Sequence, residues 1–185
     1  MSTTKQIINV GVLISGSGTN LQAIIDRCAD GTVPARVVCV VSNRLDAFGL
    51  ERARLGGIPA LHLDHRLFSG REAYDEALVA TLQEYGVDLV VLAGFMRIVT
   101  PVLLASFPGR VLNIHPALLP AFPGLHAQRQ ALEHGAKVAG CTVHFVDAGC
   151  DTGPIIIQAA VPVREDDTEE TLSQRIPVEA HRLYP

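Results

Sequence analysis

The feature that most limits the fold is an alternation repeated through the first half of the chain. Ile7 to Ile14 is a nearly unbroken apolar run rich in Val and Ile, the pattern of a strand buried on both faces. The glycine loop Ser15-Gly16-Ser17-Gly18-Thr19-Asn20 follows, and then Leu21, Ile24, Ile25 and Cys28 recur at helical spacing. Strand, glycine loop and helix make the first half of a βαβ unit. The pattern returns with a strand over Arg36 to Val41 and a helix over Ala47 to Leu55, stopped by Gly56-Gly57. A short strand over Ile58 to Leu63, a helix from Ser69-Gly70 to Tyr85 and a strand over Val87 to Ala93 continue it. Such alternation predicts an α/β fold: a doubly wound, mostly parallel, Rossmann-like sheet of about seven strands with helices on both faces.

The second half is less regular. Gly94 to Val99 reads as a loop, and Thr100-Pro101 opens a short helix with Thr as N-cap and Pro at the first position. A fifth strand, Val111 to His115, leads into a proline-rich loop from Pro116 to Gly124. A helix over His126 to His134 and strands over Gly140 to Val146 and Pro154 to Val163 come next. The last helix, Thr168 to Tyr184, has an acidic first turn, and Pro177 is expected to break or kink it. The 185 residues read as a single domain in two halves, 1–100 and 101–185. The final helix is expected to be incomplete, because the chain ends at Pro185 just as that helix buries its apolar side.

Composition removes several classes of function. The net charge is -4, no basic block occurs, Trp is absent and aromatic residues make up 5% of the chain. A nucleic-acid partner therefore has neither an electrostatic footprint nor a stacking platform. Cys28, Cys39, Cys141 and Cys150 show no C-x-x-C spacing, which argues against a metal knuckle or redox pair. Met1 to Gln6 carries no leader pattern. No apolar run approaches the roughly 18 residues of a membrane span. A reducing, cytoplasmic location is expected.

The glycine loop invites a dinucleotide reading that fails in detail. Leu21 stands where the third glycine of G-x-G-x-x-G belongs, and the second strand ends in Ser42-Asn43, with no acid for a ribose hydroxyl. What remains is an anion site for a phosphate monoester, with a plain tight turn and N-cap as the alternative. Glycines expose backbone N–H groups, a helix N-terminus favours negative charge, and Thr19 and Asn20 add donors. Residues 1–100 thus form the phosphate-binding half.

Asn113 and His115 lie two residues apart on an apolar strand, so they share a face. An amide donor beside an imidazolium suits stabilisation of a tetrahedral oxyanion. Asp151, in the loop Asp147 to Gly153, is the nearest partner that could orient the imidazole and favour its cation. A strong nucleophile is missing from this set. Cys150 lies beside Asp151, but its loop leads into a strand and not into the electropositive helix N-terminus that activates thiols.

At these residues the chain resembles the folate-dependent formyltransferase superfamily. Asn113-Ile114-His115-Pro116-Ala117-Leu118-Leu119-Pro120, followed by Phe122-Pro123-Gly124, is similar to its signature, and Asp151-Thr152-Gly153-Pro154-Ile155-Ile156 to its aspartate loop. The glycine loop and Leu92-Ala93-Gly94-Phe95-Met96-Arg97-Ile98 resemble the branch acting on glycinamide ribonucleotide, and the likeness extends over essentially the whole chain. The resemblance implies direct formyl transfer from 10-formyltetrahydrofolate to the glycyl amine, within purine biosynthesis, with no metal and no covalent enzyme intermediate. It implies that Asn113, His115 and Asp151 are catalytic. It places Gly18, Thr19 and Asn20 on the substrate phosphate. Arg71, Leu92, Met96, Arg97, Ile98, Val99 and Asn113 fall on the folate, with residues 101–185 as the folate and catalytic half. His126 and Glu179 are weaker candidates for the substrate's border, since Ala180 precedes His181 where the family commonly carries Glu. The partners implied are small molecules, bound by a monomer or homodimer. Rival readings are a formyltetrahydrofolate deformylase, a methionyl-tRNA formyltransferase and, from another class, a dinucleotide-dependent oxidoreductase.

Overall fold

The computed structural model describes residues 7–185, so Met1 to Gln6, read above for a leader pattern, lie outside the described residues. Strands β1 (Ile8–Ile14), β2 (Ala35–Ser42), β3 (Ala60–His62) and β4 (Leu89–Leu92) alternate with helices α1 (Thr19–Ala29), α2 (Phe48–Leu55) and α3 (Arg71–Glu84). Then come α4 (Pro101–Ser106), β5 (Val111–His115), α5 (Ala127–Glu133), β6 (Val138–Phe145), β7 (Ile155–Pro162) and α6 (Glu169–Leu183). The seven strands lie in the order β3-β2-β1-β4-β5-β6-β7. The β1–β2, β1–β4 and β2–β3 pairs are parallel, whereas β6 runs antiparallel to both β5 and β7. This is the expected α/β sheet.

The chain divides into two compact units, the first ending at Val111 and the second running from Leu112 to Tyr184. In the first, β1 is the central strand of the parallel set. Val12, Leu13 and Ile14 are fully buried, and so are Leu21 of α1 and Leu78 and Leu82 of α3. That burial explains the unbroken apolar run, because the strand has no solvent face along most of its length. In the second unit, α6 covers the β6–β7 pair with Leu172, Ile176 and Ala180, all buried.

Two local expectations need correction. Of the break or kink expected at Pro177, the break does not occur, since helix α6 continues through it. Proline forfeits one backbone hydrogen bond, to Ser173, and the buried face formed by Leu172, Ile176 and Ala180 keeps the segment helical. Thr100 precedes Pro101 at the start of α4 as expected, but its side chain does not cap that helix. The hydroxyl instead donates to the buried Asp75 carboxylate at 2.8 Å, and the Thr100 N–H donates to the same oxygen at 2.6 Å. A 3-10 turn at His65–Leu67, started by Asp64 accepting from the Arg66 N–H, was not foreseen.

Candidate active site

The second unit assembles the polar cluster. β5 pairs with β6 so that Asn113 faces His144 and His115 faces Thr142. The side chains two apart on each strand share one face, so the polar pair on β5 meets a second polar pair on β6. His115, Thr142 and His144 are buried. Thr142 donates to the Ala117 carbonyl at 2.7 Å and accepts from the Leu119 N–H at 3.0 Å. It therefore fastens the start of the proline-rich loop to β6, and that loop turns back over His115.

His115 is gripped at both nitrogens. Nε2 lies 2.8 Å from the Phe122 carbonyl, which can only accept, so Nε2 carries a hydrogen. Nδ1 faces Asp151 Oδ2 at 3.3 Å. Asp151 reaches this place from a backbone in the left-handed region, φ 56°. Its carboxylate accepts from the Gly124 N–H at 2.9 Å and lies 3.4 Å from the Asn113 amide nitrogen. Burial disfavours the Asp151 charge, but hydrogen bonding from His144 and the Gly124 N–H, with the nearby charges of His115 and His144, outweighs it and holds the carboxyl down at about 2. The group is thus a fixed anion at neutral pH.

His144 belongs to this cluster and escaped the sequence reading. Its Nδ1 lies 2.9 Å from the Phe145 carbonyl, so that nitrogen carries a hydrogen. When the ring is neutral, Nε2 accepts from the Asn113 amide at 3.2 Å. Asn113 Nδ2 thus sits between His144 and Asp151 with two long contacts, and its amide hydrogens are easier to redirect than the Nε2 hydrogen of His115. The missed signal was the Thr142-Val143-His144 alternation on β6, a copy of the Asn113-Ile114-His115 alternation on β5.

Cys150 is exposed, and its thiol points at Asp151 Oδ2 at 3.7 Å. Burial of the sulfur and the neighbouring Asp151 charge both raise its pKa, which keeps it a thiol. His126 is exposed, begins α5 in the left-handed region with φ 56°, and lies 3.5 Å from Glu169. Glu179 pairs with Arg182 at 2.7 Å. Neither belongs to the Asn113–His115–Asp151 cluster.

The first unit builds the glycine loop. Gly18 takes φ 71° and opens α1 with no side chain to cap it. The loop is fixed from behind: the Gly49 N–H donates to the Gly16 carbonyl at 3.0 Å and Arg52 Nε donates to the Ser17 carbonyl at 2.9 Å. Thr19 is exposed at the start of α1, and Asn20 Oδ1 is buried with no hydrogen-bond partner among the described residues. Such a helix start can take an anion on its free N–H groups. A methyl added to Gly18 would sit 2.6 Å from the Gly49 Cα, in a backbone conformation that L side chains resist. Gly18→Ala is expected to lower stability by about 3 kcal/mol and to weaken phosphate binding at least tenfold. Urea unfolding and calorimetry with inorganic phosphate would check both.

In the same unit, Met96 and Ile98 are exposed at 69% and 56%, while Leu92 and Val99 are buried. Arg97 stacks over the Tyr74 ring at 4.8 Å, and Arg71 is exposed in the first turn of α3. Among the described residues no group of three or more His, Cys, Asp or Glu is placed to hold a metal ion. None of their helices is long and apolar enough to cross a membrane.

The sequence model of the formyl transferase family matches residues 8–185. The chain belongs to the formyl transferase family. The phosphoribosylglycinamide formyltransferase of Escherichia coli (strain K12) is 51% identical over 178 residues, covering 96% of this chain and 84% of that protein. The trifunctional purine biosynthetic protein adenosine-3 of Drosophila melanogaster is 52% identical over 178 residues, 95% of this chain. This formyl transferase chain spans 13% of the length of that protein. Among solved structures, glycinamide ribonucleotide transformylase 1 from Symbiobacterium toebii superposes with a TM-score of 0.97 at 62% identity, covering 100% of this chain and 90% of that one.

Proposed function

We propose that this chain is a phosphoribosylglycinamide formyltransferase. It moves the formyl group of 10-formyltetrahydrofolate to the glycyl amine of glycinamide ribonucleotide, in purine biosynthesis. The observation that carries the reading is the convergence of Asn113, His115 and Asp151, with Asp151 Oδ2 3.3 Å from His115 Nδ1, in a chain 51% identical to the Escherichia coli enzyme of that name. The amine attacks the formyl carbon and forms a tetrahedral centre bearing an oxyanion. The loosely held Asn113 amide turns from His144 and Asp151 and donates to that oxygen. Imidazolium His115 adds positive charge beside it, and Asp151, a fixed anion, favours that charged form and sets the ring's orientation. A proton passes from the attacking nitrogen to the folate nitrogen through water, the C–N bond to the folate breaks, and tetrahydrofolate leaves. Direct transfer needs no protein nucleophile, and Cys150, kept as a thiol, is not asked to be one.

Gly18, Thr19 and Asn20 take the ribonucleotide phosphate on the open helix start. Met96, Arg97, Ile98 and Val99, with Arg71 and Leu92, serve the folate. Both substrates are small molecules, and the enzyme works in the cytoplasm. The test is release of tetrahydrofolate from 10-formyltetrahydrofolate with and without glycinamide ribonucleotide. Release that requires the ribonucleotide and yields its formylated form is the expected result. Equal release without it would instead assign a deformylase.

A further inference from the structure

We propose that two buried groups outside the catalytic cluster, the Ser15 hydroxyl and the Asp75 carboxylate, are positioning groups that hold the loop Gly94 to Val99 in the shape that receives the formyl donor. This rests on the reading above that Met96 to Val99 serve the folate.

The loop begins where the β1–β4 ladder ends. The Ala93 N–H still donates to the Leu13 carbonyl at 2.9 Å, and the Ser15 N–H donates to the Gly94 carbonyl at 3.0 Å. Beyond that point the strands separate and a side chain replaces the ladder. Ser15 Oγ accepts from the Met96 N–H at 2.8 Å and donates to Asn43 Oδ1 at 2.6 Å. Ser15 and Asn43 are both buried, at 5% and 6% exposure. Removing the hydroxyl would leave the part-buried Met96 N–H without its acceptor, and a donor left unmet costs more than its hydrogen bond contributes.

The far end is anchored separately. Asp75, 3% exposed, accepts both the N–H and the hydroxyl of Thr100. Between the anchors, Arg97 lies over the Tyr74 ring, itself fully buried in α3. The backbone is therefore bound inward at both ends while Met96 and Ile98 project outward, largely exposed. A loop tied by protein hydrogen bonds at both ends, with its apolar side chains presented on that frame, suits a flat, partly apolar ring. Beyond Ser15 the glycine loop has its own supports in Gly49 and Arg52, so the Asp75–Thr100 anchor can be disturbed without touching it.

Ser15→Ala and Thr100→Val each remove one anchor. Each is expected to weaken binding of a non-reactive folate analogue about tenfold, and in Thr100→Val, which lies outside the glycine loop, ribonucleotide affinity should change less than twofold. Amide exchange at Met96 should quicken at least tenfold in Ser15→Ala. Calorimetry with each ligand and hydrogen exchange read these effects, and a merely structural loss would weaken both ligands together. If Ser15→Ala does not fold, Thr100→Val carries the test. Native-like folate affinity in the folded variants would overturn the inference. Failure of the native protein to bind the folate analogue would instead overturn the functional reading on which it rests.

Discussion

His115→Ala should lower turnover about a thousandfold while the protein stays folded. A preorganised charge or donor at a developing oxyanion is commonly worth factors of about 100 to 1,000. The fold should survive, because His115 sits at the end of β5 and its neighbours Ile114 and Ala117 keep their own burial. Steady-state kinetics with both substrates, beside a circular dichroism melt, would check this. Turnover within tenfold of the native value would remove His115 from the mechanism.

Asp151→Asn is expected to act twice. Asp151 faces His115 and His144 and accepts from the Gly124 N–H, so its charge and its geometry both matter. Replacing the charge should cut kcat about a hundredfold by destabilising the imidazolium, with little change in ribonucleotide affinity. The second effect is on acid stability. The carboxyl is depressed from 3.8 to about 2 in the fold, so the stabilisation it gives is fully present above about pH 4 and fades as the pH falls through about 2. The shift corresponds to about 2 kcal/mol. Denaturant unfolding at pH 6 and pH 2 should show the native protein's advantage over the variant shrinking by about that amount. A constant difference across this range would contradict the assignment of Asp151 as a stabilised anion.

The parallel half of the fold is legible from residues alone because β1 and β2 are buried along most of their length, and the glycine loop separates strand from helix cleanly. Asn113 and His115 stand out for the opposite reason, being polar residues on a strand that is otherwise apolar. His144 did not, since its role arises only once β6 is laid antiparallel against β5 in a particular register. The Thr100 hydroxyl was misplaced because a helix start normally offers a side chain its own backbone to bond. Here Asp75, 25 residues earlier, supplies a stronger acceptor. Pro177 shows the same priority of packing over local preference, as α6 runs on through it over a buried apolar face.

The register of β5 on β6 has a consequence for how such a site can drift. Asn113 and His144 are 31 residues apart in the chain yet directly opposite in the sheet. Residues gained or lost in the intervening loop and helix leave that pairing intact. A single residue gained inside either strand would rotate its polar side chains to the opposite side together. The active cluster is thus inherited as one block, tolerant of length change between its parts and intolerant of it within them.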